Sequence, residues 1–237
     1  MLTLCVTADD FGQDASVNEA VRLAHEQGVL CAASLMVTGE AWREAVEIAR
    51  RMPALQVGLH VVLSDGRAVL PAGEIPHLVD GAGRFHQSPA QAGWRYWWDP
   101  RARAELRREI TAQFERFAAT GLPLSHVDGH QHLHMHPVVF DCVAGLAERY
   151  GARRIRVVHD DLALALRFDS RARTAKRVMS GIFRALERHA RRRLRQTRLQ
   201  ALEKTYGFFM SGRMTPAYVD AVVRQPQTGS AEIYFHP

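Results

Sequence analysis

The chain has 237 residues, of which 47% are hydrophobic and 24% are charged, and this composition excludes a disordered or collagen-like protein. Its three cysteines form no C-x-x-C pair, which argues against a disulfide framework or a thiolate zinc site and favours the reducing cytoplasm. The net charge of +6 is uneven, because residues 167–213 hold 14 basic and 3 acidic residues while the remainder holds 17 basic and 22 acidic.

The N-terminal half alternates between predicted strands and helices. Residues 2–8, LTLCVTA, predict a buried strand, and their short apolar run ends in acids, which fits neither a signal peptide nor a membrane span. A helix is predicted from an N-cap at Ser16 to Gly28, followed by strands at 33–38 and 55–60 around a helix at 41–52. This alternation is typical of a parallel sheet with crossover helices.

The second half begins with a segment rich in Gly, Pro and aromatic residues at 64–100, which predicts a long functional loop. After it the periodicity resumes. The predicted helices are 101–120, 137–150 and 215–225, and the predicted strands are 125–130, 154–159 and 231–237. No internal repeat or low-complexity tract interrupts the pattern.

The basic segment contains one amphipathic stretch. Residues 174–195 space apolar residues three and four positions apart among arginines, which predicts a basic helix. Such a helix packs on its own protein, lies on an anionic membrane or binds nucleic acid. We expect no nucleic-acid partner, because no helix-turn-helix, zinc finger or aromatic stacking motif accompanies the charge.

Polar residues gather at the carboxyl ends of the predicted strands. These residues are Asp9, Asp10, His60, His130 and His236. In parallel α/β folds the carboxyl ends of the strands share one face of the molecule, where catalytic groups collect. Four separate segments are therefore expected to converge on one site.

The densest of these segments holds five of the twelve histidines at alternating positions. If it stays extended, alternate residues share a face, so six side chains would point one way: His126, Asp128, His130, His132, His134 and His136. A single metal ion cannot use them all. We expect one or two to bind a metal and the others to support the ligands, contact substrate or lie on the surface.

Asp9 and Asp10 end a buried strand and precede Phe-Gly, which allows a tight turn. Successive residues at a strand end point in different directions, so one carboxylate can hold a metal while its neighbour addresses a water molecule. The alternative is that the pair caps the helix that follows Gly12.

Four motifs in this chain resemble the YdjC-like carbohydrate deacetylases. They are T-A-D-D-F-G at 7–12, V-G-L-H at 57–60, S-H-V-D-G-H-Q-H-L-H-M-H-P at 125–137 and I-Y-F-H-P at 233–237. They follow the family's order over nearly the whole chain. The family includes chitooligosaccharide deacetylases and hopanoid-biosynthesis-associated deacetylases. The W-R-Y-W-W-D-P-R-A-R loop, the F-A-A-T-G-L-P-L segment and the basic insert at about 167–213 are similar to the hopanoid-associated members.

The resemblance implies an α/β fold, an irregular TIM-barrel-like (β/α) barrel, that removes an N-acetyl group from an amino sugar with the help of a metal. It implies that Asp10, His60 and His130 ligate the metal. Asp9 would be the base that activates water, and His236 the acid that protonates the leaving amine.

The remaining polar residues of the motif, Asp128, His132 and His134, would contact substrate or support the ligands. The implied cofactor is one divalent ion, zinc or magnesium. Family members usually continue past the His-Pro at which this chain ends, so we expect the barrel to lack C-terminal elements.

Three functions are compatible with these features. The first is deacetylation of an N-acetylglucosaminyl hopanoid lipid, with the basic insert in peripheral contact with the inner membrane surface. The second is the same chemistry on soluble chitooligosaccharides. The third is a basic membrane- or nucleic-acid-binding protein whose metal site is structural, and a lack of hydrolytic turnover would distinguish it from the other two.

Overall fold

The computed structural model describes residues 2–225 and 229–237, which contain seven parallel strands in one sheet. The strands are β1 (Leu2–Phe11), β2 (Ala32–Leu35), β3 (Gln56–Val61), β4 (His126–Gly129), β5 (Arg154–Ile155), β6 (Lys204–Tyr206) and β7 (Gly229–Phe235). Their order across the sheet is β5-β4-β3-β2-β1-β7-β6. The predicted α/β class and parallel sheet are confirmed.

Helices cross over between these strands. They are α1 (Ala15–Gln27), α2 (Trp42–Arg51), α3 (Pro89–Trp98), α4 (Pro100–Ala118), α5 (Pro137–Arg149), α6 (Leu162–Phe168), α7 (Arg173–Leu194) and α8 (Pro216–Val223). A short 3-10 helix at His130–Met135 follows β4 directly. Buried apolar residues of the sheet pack against the helices in one large cluster, and a smaller cluster lies among β6, β7, α6 and α8.

The curled sheet is an incomplete (β/α) barrel over the described residues. Its two edges approach each other through isolated backbone hydrogen bonds, from Ile155 N–H to the Gln200 carbonyl (2.9 Å) and from Thr205 N–H to the His159 carbonyl (3.0 Å). This explains why the strand predicted at 154–159 is confined to Arg154–Ile155. The backbone beyond Ile155 forms single bonds with different partners rather than a regular ladder.

Helix α1 begins at a different residue from the one predicted. Asp14, not Ser16, is the N-cap, and its carboxylate accepts the backbone N–H of Ser16 (2.8 Å) and of Val17 (3.0 Å). The Ser16 hydroxyl donates to the same carboxylate oxygen. A carboxylate two and three residues ahead of the free N–H groups fits the N-cap geometry, so the expected serine cap was wrong.

The segment predicted as a loop at 64–100 contains helix α3. Ser88 caps this helix and Pro89 occupies its first turn, both of which are typical helix starts. The Tyr96 hydroxyl donates to the Leu63 carbonyl (3.0 Å) and anchors the inner face of the helix. The prediction of a continuous loop was therefore wrong at its C-terminal end.

Two glutamates of α4 organise the rest of that segment. The Glu109 carboxylate accepts the backbone N–H of Val69 (2.9 Å) and Leu70 (3.0 Å), and the Glu105 carboxylate accepts that of His77 (2.8 Å). Burial raises the pKa of Glu109, while these N–H donors oppose the rise. Two side chains of α4 thus hold the backbone of residues 69–77 in place through hydrogen bonds.

The basic amphipathic helix predicted at 174–195 is confirmed as α7. Its C-terminal half packs on α5, where Ala190 and Leu194 are buried. Its N-terminal half leaves Val178, Met179 and Ile182 exposed. Among residues 2–225 and 229–237, no helix is long and apolar enough to cross a membrane.

Candidate metal centre

The carboxyl edge of the sheet is distorted where β1 reaches Asp9 and Asp10. The register of β1 against β2 shifts between Ala8 and Phe11, and Asp10 adopts a left-handed backbone conformation with φ of 60°. Positive φ is uncommon for a residue other than glycine and often marks a functional site. The distortion turns the two neighbouring carboxylates toward different partners, as predicted for this pair.

Asp10, His60 and His130 form a compact set of metal-ligating groups. Asp10 Oδ1 lies 2.9 Å from His130 Nδ1 and 3.2 Å from His60 Nε2. The potential ligand atoms of the three residues all lie within 4.8 Å of one another. Burial by itself would raise the pKa of Asp10, but hydrogen bonds from His130 and His60 outweigh it and hold the pKa well below its usual range.

Asp128 orients His60 from the opposite side. Its Oδ1 accepts a hydrogen bond from His60 Nδ1 (2.7 Å), and its Oδ2 accepts one from the Ser34 hydroxyl (2.7 Å). This fixes the ring so that Nε2 faces Asp10, an arrangement typical of supported metal ligands. Burial disfavours protonation of His60, but the carboxylates of Asp128 and Asp10 overcome it and raise the His60 pKa to about 10.

Arg156 is the central residue that sequence reasoning missed. It is buried, and its guanidinium binds both oxygens of Asp9, at 2.6 and 2.8 Å. It also binds both oxygens of Glu232, at 2.9 and 2.8 Å, and reaches Asp128 Oδ2 at 2.9 Å. Both Arg156 and Glu232 stand inside apolar strand-like runs, R-I-R-V-V and A-E-I-Y-F, and a charge in such a run signals a buried partner.

Asp9 is consequently held beside the metal-ligating set with its position fixed. Its burial raises the pKa, while the Arg156 guanidinium lowers it. The effect of burial is larger than that of the guanidinium, so the pKa of Asp9 is raised overall. A carboxylate with a raised pKa is a better proton acceptor than one in water. The base role expected for Asp9 stays a prediction.

The charge balance of this cluster favours a bound cation. The four carboxylates of Asp9, Asp10, Asp128 and Glu232 are buried, and the Arg156 guanidinium contacts three of them. A formal excess of negative charge remains even when His60 carries a proton. Because buried charge is costly unless it is paired, a divalent ion fits the residues present.

Within the part of the chain that the structure describes, two groups of residues lie close enough to hold such an ion. They are the Asp10 set and a second group of Asp9, His60 and Asp128. Arg156 already pairs with Asp9 and Asp128, whereas Asp10 has no guanidinium partner among the described residues, so the Asp10 set is the better site. Its donor chemistry, two imidazoles and one carboxylate, suits zinc or another late transition ion better than magnesium.

The histidine run does not stay extended, so the condition under which its alternate residues would share one face is not met. Strand β4 ends at Gly129, and Gln131 and His132 adopt left-handed conformations with φ of 51° and 55°. The chain therefore coils and sends successive imidazoles to different partners. His132 Nε2 meets the Tyr234 hydroxyl (2.7 Å), and His134 Nε2 donates to the Arg156 carbonyl (3.1 Å).

The first and last histidines of the run, His126 and His136, are not part of the Asp10, His60 and His130 set. His126 is buried beside Ser34 and packs against Gly58, where a Cβ atom would come within 2.5 Å of the imidazole. The glycine of the V-G-L-H motif thus makes room for this ring. His136 packs at the edge of the Tyr96 and Trp97 rings.

His236 lies at the same edge of the sheet as the carboxylates. The β1–β7 register pairs Ala8 with Phe235, so His236 follows at the level of Asp9. The imidazole is exposed, and its ring centroid lies 5.6 Å from that of Tyr234. The acid role expected for His236 stays a prediction.

This chain is similar in sequence to one described protein family and to several proteins that are named as deacetylases. The family described as YdjC-like protein matches residues 3–237. A carbohydrate deacetylase of Brevibacillus brevis is 40% identical over 149 residues, covering 63% of this chain and 57% of the relative. A chitooligosaccharide deacetylase of Serratia marcescens is 34% identical over 155 residues, covering 62% of this chain and 56% of the relative. The chain thus spans little more than half the length of these relatives.

The fold also has a solved counterpart. A protein of Enterococcus faecalis V583, described as a cellobiose-phosphate cleavage protein, superposes with a TM-score of 0.73 at 22% identity. The match covers 99% of this chain and 80% of that protein. At this identity the likeness concerns the fold alone.

Proposed function

Because the chain belongs to the YdjC-like protein family, we propose that it is a metal-dependent carbohydrate N-deacetylase that hydrolyses the N-acetyl group of an amino sugar. The observation that carries this proposal is the Asp10, His60 and His130 set with Asp9 beside it. Amide hydrolysis needs an activated water and a polarised carbonyl, and this grouping is suited to supply both.

Each residue of the centre has its own role in the proposed reaction. Asp10, His60 and His130 would hold a divalent ion, which when bound supplies Lewis acidity to the amide carbonyl. Asp9 accepts the proton of the attacking water, and the Arg156 guanidinium keeps its carboxylate in place. His236 donates a proton to the departing amine, for which an exposed imidazole at this edge is suited.

The decisive measurement is mass spectrometry of an N-acetylated amino sugar after incubation with protein loaded with zinc or with magnesium. We expect the substrate to lose one acetyl group and the solution to gain acetate. An Asp9→Asn protein that folds normally should lose this activity. Absence of turnover with either ion, together with salt-sensitive binding to liposomes or DNA, would favour a binding protein with a structural metal.

For the substrate, the proposal is an N-acetylglucosaminyl hopanoid lipid. Its support is the resemblance of the tryptophan-rich segment and the basic insert to hopanoid-associated members. The alternative is a soluble chitooligosaccharide, which the name of the Serratia marcescens relative favours. Rates on the two substrates, measured side by side, distinguish them.

Peripheral contact with an anionic membrane accompanies the lipid proposal. The N-terminal half of α7 exposes Val178, Met179 and Ile182, and Arg177 and Arg184 on the same helix are also exposed. An apolar surface ringed by cations suits the interface of a negatively charged bilayer. Flotation with phosphatidylglycerol vesicles but not with phosphatidylcholine vesicles, weakened by salt, is the expected result. Equal binding to both vesicle types would contradict it.

A further inference from the structure

An apolar groove lies between α3 and α7, next to the metal centre. We call it the tryptophan groove, and its volume is about 540 Å³, within the range of ligand sites. Its floor is formed by residues of the 3-10 helix and by Phe208. Its walls carry Trp94, Trp97 and Trp98 on α3, and Met179, Ile182 and Leu186 on α7.

The tryptophan wall is exposed and ordered by its own contacts. Trp94 is 69% exposed and Trp98 62% exposed, although indole rings are usually buried. The two rings lie one helical turn apart with centroids separated by 5.7 Å, and Trp97 rests against His136 at 5.4 Å. A contiguous exposed apolar surface of this kind marks a binding site rather than a random feature of the surface.

A chain of side-chain contacts connects the groove to the proposed base. His132 lies in the floor, two residues after His130, and its Nε2 meets the Tyr234 hydroxyl at 2.7 Å. The Tyr234 ring in turn lies under the Arg156 guanidinium at 4.5 Å, and Arg156 holds Asp9. A ligand in the groove would thus be placed at the edge of the catalytic cluster.

The polar groups of the groove are few. Among the described lining residues, the polar side chains other than the indoles are Gln131, His132 and His136. The Gln131 amide already bonds to Ser64 and Asp65, and Nε2 of His132 bonds to Tyr234. Nδ1 of His132 and Nδ1 of His136 have no hydrogen-bond partner among the described residues, but both atoms are buried and so do not face the groove. A sugar ring placed there would lose hydration of its hydroxyl groups without replacement partners, whereas a hydrocarbon would lose none.

We propose that the tryptophan groove binds the hydrocarbon part of an amphiphilic amino-sugar substrate while the sugar reaches the metal centre. The inference rests on the proposed deacetylase function and names the class of substrate that this site selects. The aliphatic wall of α7 and the aromatic wall of α3 together exclude water from an apolar group that follows the sugar.

The test uses alkyl glycosides of N-acetylglucosamine with chains of increasing length, below their micelle-forming concentrations and without vesicles. In the unmodified protein we expect kcat/KM to rise with chain length. In a Trp98→Ala, Ile182→Ser variant, the ratio of kcat/KM for the dodecyl glycoside to that for N,N′-diacetylchitobiose should fall at least about tenfold.

Val223→Ser provides the matched control. Val223 is 51% exposed on α8 and Ile182 is 47% exposed on α7, so the two substitutions remove similar apolar surface. The control should keep the full dependence on chain length. The proposal would be overturned if kcat/KM did not depend on chain length in the unmodified protein. It would also be overturned if a single Ile182→Ser variant kept the same dependence on chain length as Val223→Ser.

Binding without catalysis separates this inference from the proposed function. Dodecyl N-acetylglucosaminide is titrated into Asp9→Asn protein while tryptophan fluorescence is recorded. A saturable blue shift that is lost in an added Trp94→Ala, Trp98→Ala change supports the groove, even if the unmodified enzyme proves inactive. Activity on soluble sugars without any such shift rejects the groove and leaves the deacetylase proposal standing.

Discussion

The metal centre and the tryptophan groove share the His130–Met135 turn but have opposite character. The centre buries four carboxylates around one arginine and two histidines, and each group has a specific partner. The groove exposes indoles and aliphatic side chains that meet through apolar and ring contacts. The short 3-10 helix at His130–Met135 thus lies between the charge network of the metal centre and the apolar surface of the groove.

This difference implies two kinds of sensitivity to substitution. A buried charge network fails when one member is lost, because the remaining charge has no partner. Apolar contacts are non-directional and roughly proportional to area, so their loss is graded. Substitutions at the centre should therefore have large effects on catalysis and stability, and those in the groove smaller effects on substrate preference.

The largest expected effect is on catalysis. Replacing His130 with alanine removes one of three metal-ligating groups, and we expect kcat/KM to fall by about 10³-fold or more. Metal content measured by elemental analysis should fall in parallel. His189→Ala is the matched control, because this histidine pairs with Asp141 on the helix surface. Retention of full activity by His130→Ala would exclude the proposed ligand set.

The next effect is on stability. Replacing Arg156 with methionine leaves Asp9, Asp128 and Glu232 buried without their shared cation, and we expect a loss of about 3 to 5 kcal/mol in the free energy of unfolding. Urea denaturation followed by circular dichroism measures this loss. Arg154→Met should cost less than about 1 kcal/mol, because that half-buried side chain bonds mainly to Gln56. Equal losses for both variants would show that the network contributes little.

Much of the centre was predictable because its members occupy equivalent positions. Asp10, His60 and His130 each stand at the carboxyl end of a parallel strand, and this topology alone brings them to one edge. The pairing of Arg156 with Asp9 was not predictable, because it joins residues 147 positions apart and depends on how the sheet curls. A local pattern carries no information on such a contact.

The errors in local structure have a related cause. Alternation from His126 to His136 is the pattern of a strand, but the backbone is left-handed at Gln131 and His132, whose side chains bond to Ser64 and Tyr234 far away in the sequence. Helix α3 was hidden because Gly93 and four aromatic residues give its sequence the composition of a loop. Its Ser88–Pro89 start was the available signal.

The smallest predicted effect concerns the boundary between the two regions, where His136 lines the groove. Burial lowers the pKa of this imidazole to about 4 from its usual 6.5, with the Arg103 charge acting in the same direction. Between these values the unfolded chain binds more protons than the folded one, so this group reduces stability as the pH falls from 6.5 toward 4.

A His136→Phe variant should therefore lose less stability than the unmodified protein over this pH interval. Because the imidazole is partly exposed, we expect the difference to be about 1 to 2 kcal/mol. Urea denaturation at a series of pH values measures it as a change in slope, which is independent of the cost of the substitution itself. If the stability of both proteins changed with pH in the same way, His136 would be solvated enough to titrate normally. The apolar surface of the groove would then not include this residue.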